Sequence, residues 1–154
     1  MIDRRVGLWM GIAVLGLCAG CAAKPQHSAL LGDCKELLVP QLVWEGREEA
    51  SVGPALLTEI DRDRVFWSRK KAVGSIDAGT RVSVARVLKD WNGSYGHFLR
   101  VQVEILDGPF SGQIAEVPSI APYHPSPSWI VEHTLDPNAL QFNPEIVKPC
   151  EELP

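Results

Sequence analysis

His97-Phe98-Leu99-Arg100-Val101-Gln102-Val103-Glu104-Ile105-Leu106 places Leu99, Val101, Val103 and Ile105 at every second position, with Arg100, Gln102 and Glu104 between them. Successive side chains of a strand point to opposite faces, so this period of two predicts a β-strand with one apolar face and one polar face. Upstream, Thr80 to Lys89 alternates through Val82 and Val84, after which Val87 and Leu88 fall out of phase. One extra residue near Ala85-Arg86, a β-bulge, restores the phase. Lys89 to Gly96 joins the two runs and contains Asn92-Gly93, a strong hairpin-turn signal. Downstream, Asp107-Gly108-Pro109 predicts another turn, leading through Gly112 into a short strand at Gln113 to Val117. Nearer the N-terminus, Ala55 to Ile60 and Arg64 to Ser68 flank Asp61-Arg62-Asp63 and predict a further hairpin. The expectation is a mainly β fold of about five short strands, closed as a small barrel or paired as a sandwich.

Three of these segments, in this order, carry a resemblance. Gly79-Thr80-Arg81-Val82-Ser83-Val84, then Leu99-Arg100-Val101-Gln102-Val103, then Leu106-Asp107-Gly108-Pro109-Phe110-Ser111-Gly112-Gln113-Ile114 resemble a bacterial SH3-like domain, chiefly over residues 74 to 118. The resemblance implies a small barrel that binds peptides, glycan strands or partner proteins at the cell wall.

The N-terminus has the three parts of a secretory signal. Arg4 and Arg5 supply positive charge, Val6 to Leu17 is a twelve-residue apolar run, and Cys18-Ala19-Gly20 is small. The run is shorter than the roughly 20 residues a membrane-spanning helix requires. Leu15-Gly16-Leu17-Cys18-Ala19-Gly20-Cys21 resembles the lipobox of bacterial lipoproteins, with Cys18 where a leucine is usual. Cleavage after Ala22 or Ala23 as an ordinary signal peptide is the alternative. The resemblance implies a signal peptide over residues 1–20 and lipidation of Cys21 by a diacylglyceryl thioether and an acylated amine. It implies a site in the bacterial cell envelope, and Ala22 after the cysteine favours the periplasmic face of the outer membrane. With Cys18 removed and Cys21 lipidated, Cys34 and Cys150 remain, and in an oxidising compartment such a pair is expected as a disulfide.

Without residues 1–20 the chain carries thirteen basic and eighteen acidic residues, a net charge of −5. Nucleic-acid binding calls for a basic footprint and is not expected. Residues 21–32 are small and polar enough for a lipidated tether, and residues 33–118 hold the β-domain. Residues 119–154 form a proline-rich extension, since eight of the twelve prolines lie from Pro118 onward. Proline removes backbone donors, so this part is expected mostly as coil packed on the domain, with Trp129 pinning it to the core.

Chemistry-bearing residues are sparse. His27, His97, His124 and His133 show neither i, i+4 metal spacing nor an HExxH frame, and Ser94 lacks a GxSxG frame. No catalytic residue, metal ligand or cofactor is assigned. Arg62, Arg64, Arg69, Lys70 and Lys71 are the main basic concentration, read as a solvated surface. Trp67 is expected in the core, whereas Trp91 and Tyr95 fall in the hairpin loop. There they are candidate ligand-binding aromatics, or Trp91 folds back to cover the end of the barrel.

Three functions compete on these residues. The first is a non-catalytic, membrane-anchored envelope lipoprotein whose SH3-like domain binds a protein partner or a cell-wall component such as peptidoglycan. The second is a structural or assembly accessory of an envelope complex. The third is a small envelope hydrolase built on a carboxylate pair such as Glu104 and Glu116.

Overall fold

The structure is a computed structural model that describes residues 23–45, 55–57, 72–92, 96–119 and 128–151. The proposed signal peptide, Cys21, the turn at 61–63 with its basic residues, Trp67, Ser94, Tyr95 and His124 lie outside the described residues. Those described form nine strands and no helix: β1 (Lys24–Gln26), β2 (Cys34–Leu37), β3 (Gln41–Trp44), β4 (Ala55–Leu57), β5 (Ala72–Ile76), β6 (Arg81–Asn92), β7 (Gly96–Ile105), β8 (Ile114–Val117) and β9 (Val147–Pro149). The mainly β, antiparallel class is therefore as the alternation implied.

All nine belong to one sheet, ordered β5-β3-β4-β8-β7-β6-β2-β9, with β1 on β6 beside β2. Every ladder is antiparallel except the short β4–β8 contact through Ala55 and Glu116. Among the described residues no ladder joins β5 to β9, so the strand order keeps two ends. The expectation of about five strands is corrected to nine. Four of the expected strands are β4, β6, β7 and β8, the expected strand at Arg64 to Ser68 lies outside the described residues, and the other five (β1, β2, β3, β5, β9) are three to five residues long. Runs that short carry too little alternation to be read locally, and pairing creates them.

The 12-residue β6 organises the sheet. On one edge it pairs with β7 from Val82↔Ile105 to Asn92↔Gly96, and the register shifts between Val84 and Arg86. Ala85 is the extra residue, so Val82, Val84 and Val87 all face the core despite their broken spacing. On its other edge β6 carries β2 at its start (Cys34↔Ser83) and β1 near its end (Gln26↔Val87). Pro25 sits in β1, a short edge strand where a missing N–H is tolerated.

The core lies on the apolar face of β6, β7 and β8. It comprises Val82, Val84, Val87, Leu99, Val101, Val103, Ile105, Ala115 and Val117 from those strands, closed by Leu37, Val43, Ile76, Trp129, Ile130, Leu140, Ile146 and Val147. Two sequence boundaries move as a result. Residues 24–32 are not a tether: β1 is in the sheet, Ser28 is buried with its hydroxyl donating to the Pro137 carbonyl at 2.7 Å, and Leu30 packs on the core. The described C-terminal residues supply core side chains and strand β9. Trp129 is fully buried, and its indole N–H donates to Gln41 Oε1 at 3.3 Å.

The turn from β7 to β8 shows why two of its residues are glycine. Gly108 and Gly112 adopt φ of 79° and 81°, a left-handed conformation costly for residues with a Cβ. The Gly112 N–H donates to the Ile105 carbonyl at 2.8 Å, and the Ser111 hydroxyl to that of Leu106 at 2.8 Å. Asp107 ties this turn to the start of β6. It accepts from Arg81 Nε and Nη2, both at 2.9 Å, and from the Arg81 backbone N–H at 3.0 Å. The side-chain hydrogen bond from Arg81, then its backbone N–H, holds the Asp107 carboxyl below its ordinary value.

Cys34 and Cys150 form a disulfide across 116 residues of sequence, with Cα atoms 5.4 Å apart. It extends the β2–β9 ladder, in which Lys35 faces Pro149 and the Cys150 N–H donates to the Cys34 carbonyl at 3.2 Å.

Two measurements test these assignments. Cys34→Ala/Cys150→Ala is expected to lose about 2–5 kcal/mol in urea unfolding, because a long closed loop no longer restricts the unfolded chain; an unchanged midpoint would contradict the clasp. A carboxyl held low binds fewer protons when folded than when unfolded, so its stabilisation is present above the ordinary carboxylate range and lost as pH falls through the lowered value. Asp107→Asn is expected to be less stable than wild type at neutral pH. The two stability curves then converge as pH drops below about 4, where the wild-type advantage titrates away.

Candidate functional site

At the far end of the β6–β7 hairpin the apolar face of the sheet runs past the core. Side chains directly opposite in an antiparallel ladder share a face. Val87 pairs with Val101, Lys89 with Leu99 and Trp91 with His97, so Val87, Lys89 and Trp91 lie in one row. Along that row Val87 is buried, Lys89 is half-buried and Trp91 is 63% exposed. His97 beside Trp91 is exposed as well. Trp91 therefore does not fold back as a plug. It also stands on a strand and not in a loop, because the ladder continues through Trp91 to the Asn92–Gly96 pair.

A polar brace on the opposite face holds this end in place. Arg100 Nε donates to Glu116 Oε1 at 2.8 Å and Nη2 to Glu116 Oε2, while Nη1 donates to Asp90 Oδ2 at 2.9 Å. The other Asp90 oxygen accepts the Trp91 backbone N–H at 2.8 Å. One guanidinium thus links β8, β7 and β6, and the carboxylate it orients grips the backbone of the exposed tryptophan. Burial opposes the charge on Arg100, but the hydrogen bonds and charges of Glu116, then of Asp90, outweigh it and hold Arg100 above its ordinary value. Gln102 completes the cluster, with its amide N–H 3.4 Å from Glu116 Oε2. Its carbonyl oxygen is buried without a hydrogen-bond partner among the described residues, an arrangement that costs about 1–3 kcal/mol.

No protein-family model, curated protein or solved structure matches this chain.

Glu104 and Glu116 are not directly opposite each other across the β7–β8 ladder. Glu116 faces Gln102, Glu104 faces Ile114, and both Glu116 oxygens are occupied by Arg100. Glu116 is 8% exposed, whereas Glu104 is on the surface. Cys34 and Cys150 are joined and present no thiolate. His27, His97 and His133 are exposed and separate, and among the described residues no cluster of three or more metal-ligating side chains occurs. Cys21 and Tyr95 lie outside the described residues.

The brace was not foreseen from sequence. Arg100, Gln102 and Glu116 occupy the polar positions of their strands, and such positions are ordinarily solvated; nothing local marks them as buried. The one available signal was an arginine in mid-strand with a carboxylate two positions beyond a hairpin end.

Replacing Arg100 by Met is expected to destabilise the domain by about 3–5 kcal/mol, because it leaves Glu116 buried without its cation. Arg100→Met/Glu116→Leu is expected to recover most of that loss in thermal unfolding. Additive losses in the double variant would show that the two side chains are not coupled.

Proposed function

We propose that this chain is a non-catalytic lipoprotein of the bacterial cell envelope, anchored through a lipidated Cys21, whose SH3-like β-domain acts as a binding module. The observation that carries the reading is Trp91, a large aromatic standing 63% exposed on a braced strand. Burying an aromatic of this size removes a large apolar area from water, so a tryptophan left exposed on a rigid element is a favourable point of attachment. The antiparallel run β6–β7–β8, with its glycine-dependent turn at Asp107 to Gln113, supports the SH3-like assignment. The lipobox-like Leu15 to Cys21 supports the anchor, and the spacing of Arg4, Arg5 and the apolar run supports export. The Cys34–Cys150 disulfide fits an oxidising compartment. In this reading the domain meets an envelope component, which in the sequence-based expectation is a partner protein or peptidoglycan, through the Trp91 end of its long hairpin.

Cys21→Ala is expected to abolish incorporation of labelled fatty acid and to release the protein from sedimented membranes; label retained on the variant would defeat the anchor. Trp91→Ala is expected to weaken retention of the protein by isolated envelope fractions without lowering its melting temperature. A fall in melting temperature would instead assign Trp91 to packing.

A further inference from the structure

We infer that the surface met by Trp91 is the lipid bilayer that holds the anchor, with the indole seated among the headgroups and Lys24 and Lys89 beside it. This rests on the lipid-anchor reading above and names the component that reading leaves open.

β1 runs antiparallel to β6 with Lys24 opposite Lys89, so β1 going back from Gln26 to Lys24 runs in the direction of β6 going forward from Val87 to Lys89. Trp91 is two residues beyond Lys89, about 7 Å along the strand. Cys21 precedes Lys24 by three residues, a span of at most about 11 Å. An acylated Cys21 has its chains in the hydrocarbon and its sulfur at the glycerol level. The headgroup layer above the hydrocarbon is only about 5–8 Å deep on each side. Lys24 is thereby held within about 11 Å of the anchored residue, and Trp91, two residues beyond the ladder partner of Lys24, lies at the same end of the sheet.

The side chains at this end suit such a surface. Trp91 and His97 share the face beyond the core, both exposed, with Lys89 next in the row and Lys24 directly across from it. Tryptophan is enriched at membrane–water interfaces, where its apolar ring and its N–H are both accommodated. Lysine next to it can lay its methylene stem along apolar surface and keep its ammonium among phosphates. The pairing of Lys24 with Lys89 also needs a counter-charge. Like charges directly opposite on neighbouring strands destabilise a sheet. Neither lysine has an ion-pair partner among the described residues. Anionic headgroups supply that counter-charge, because basic residues beside a lipid anchor are drawn to them.

The test uses the full-length lipidated protein, purified from cells fed labelled fatty acid and reconstituted into vesicles of phosphatidylethanolamine and phosphatidylglycerol. The lipids carry bromine near the headgroup end of the acyl chains. Bromine quenches nearby tryptophan; Trp44 and Trp129 are buried in the protein core, and every protein in the comparison carries Trp67→Phe so that Trp91 is the remaining reporter. The Trp67→Phe protein is expected to lose emission in brominated vesicles, and adding Trp91→Phe is expected to remove most of that response. Lys24→Glu/Lys89→Glu is expected to reduce the response in vesicles containing phosphatidylglycerol. Equal quenching with and without Trp91→Phe, on protein that carries the label, overturns this inference and leaves the anchor standing. Trp91-dependent sedimentation with peptidoglycan, without quenching, overturns it in favour of a wall ligand. Protein that carries no label overturns the anchor reading itself, and this inference with it.

Discussion

One extra residue in one strand governs the rest of the sheet. Because side chains alternate with a period of two, a slip of a single residue moves every following side chain to the opposite face. β6 would present Val82 and Val84 to the core and Val87 to solvent if it ran without interruption. The bulge at Ala85 absorbs the mismatch, and β7 opposite it runs unbroken through Val101, Val103 and Ile105. Backbone groups at the bulge are held from the other edge: Val84 accepts from the Gly32 N–H at 2.9 Å and donates to the Asp33 carbonyl at 3.0 Å. The excursion of the chain between β1 and β2 therefore flanks the irregularity it has to accommodate. β6 is long enough to carry these two short strands end to end only because the bulge keeps both of its halves in register with one core.

The remaining strands follow from this frame. β2 gains a second partner in β9, and the Cys34–Cys150 bond fastens that pairing where the ladder ends. Residues 128–151 then return across the core, seating Trp129 between the Pro118 carbonyl, which accepts its backbone N–H at 2.8 Å, and Gln41. A segment crowded with proline contributes core in this way without long strands. It uses single side chains and local turns, for which proline's missing donor carries little penalty.

The polar face shows the same economy in another form. Asp90, Arg100 and Glu116 each come from a different strand, and their side chains are only 10–24% exposed. Charges this far from water require close partners, and the two-pronged contact of Arg100 with Glu116 meets that need. Through Asp90 the same network reaches the backbone of Trp91 on the opposite face of the sheet. A rigid presentation of an exposed aromatic is the consequence, and it is the structural basis for reading the hairpin end as a contact surface.

Alternation in His97 to Leu106 determined a strand, its core face and its polar face. The phase break after Val84 determined the bulge, and Asp107-Gly108 with Gly112 determined the following turn. These features were legible because they are local: every second residue, or one glycine at positive φ, carries them. Cys34 and Cys150 became readable as a pair by counting cysteines, and only on the premise that Cys21 is lipidated. Tertiary structure alone decided that Lys24–Gln26 and Val147–Pro149 are strands, since three residues become a strand only when a partner offers its backbone. It also decided that Glu116 is buried and paired with a half-buried Arg100 while Trp91 is exposed, against the ordinary preferences of a charged and an aromatic residue. Burial is conferred by what lies across the sheet from a residue, and that neighbour is set by pairing between segments far apart in the chain.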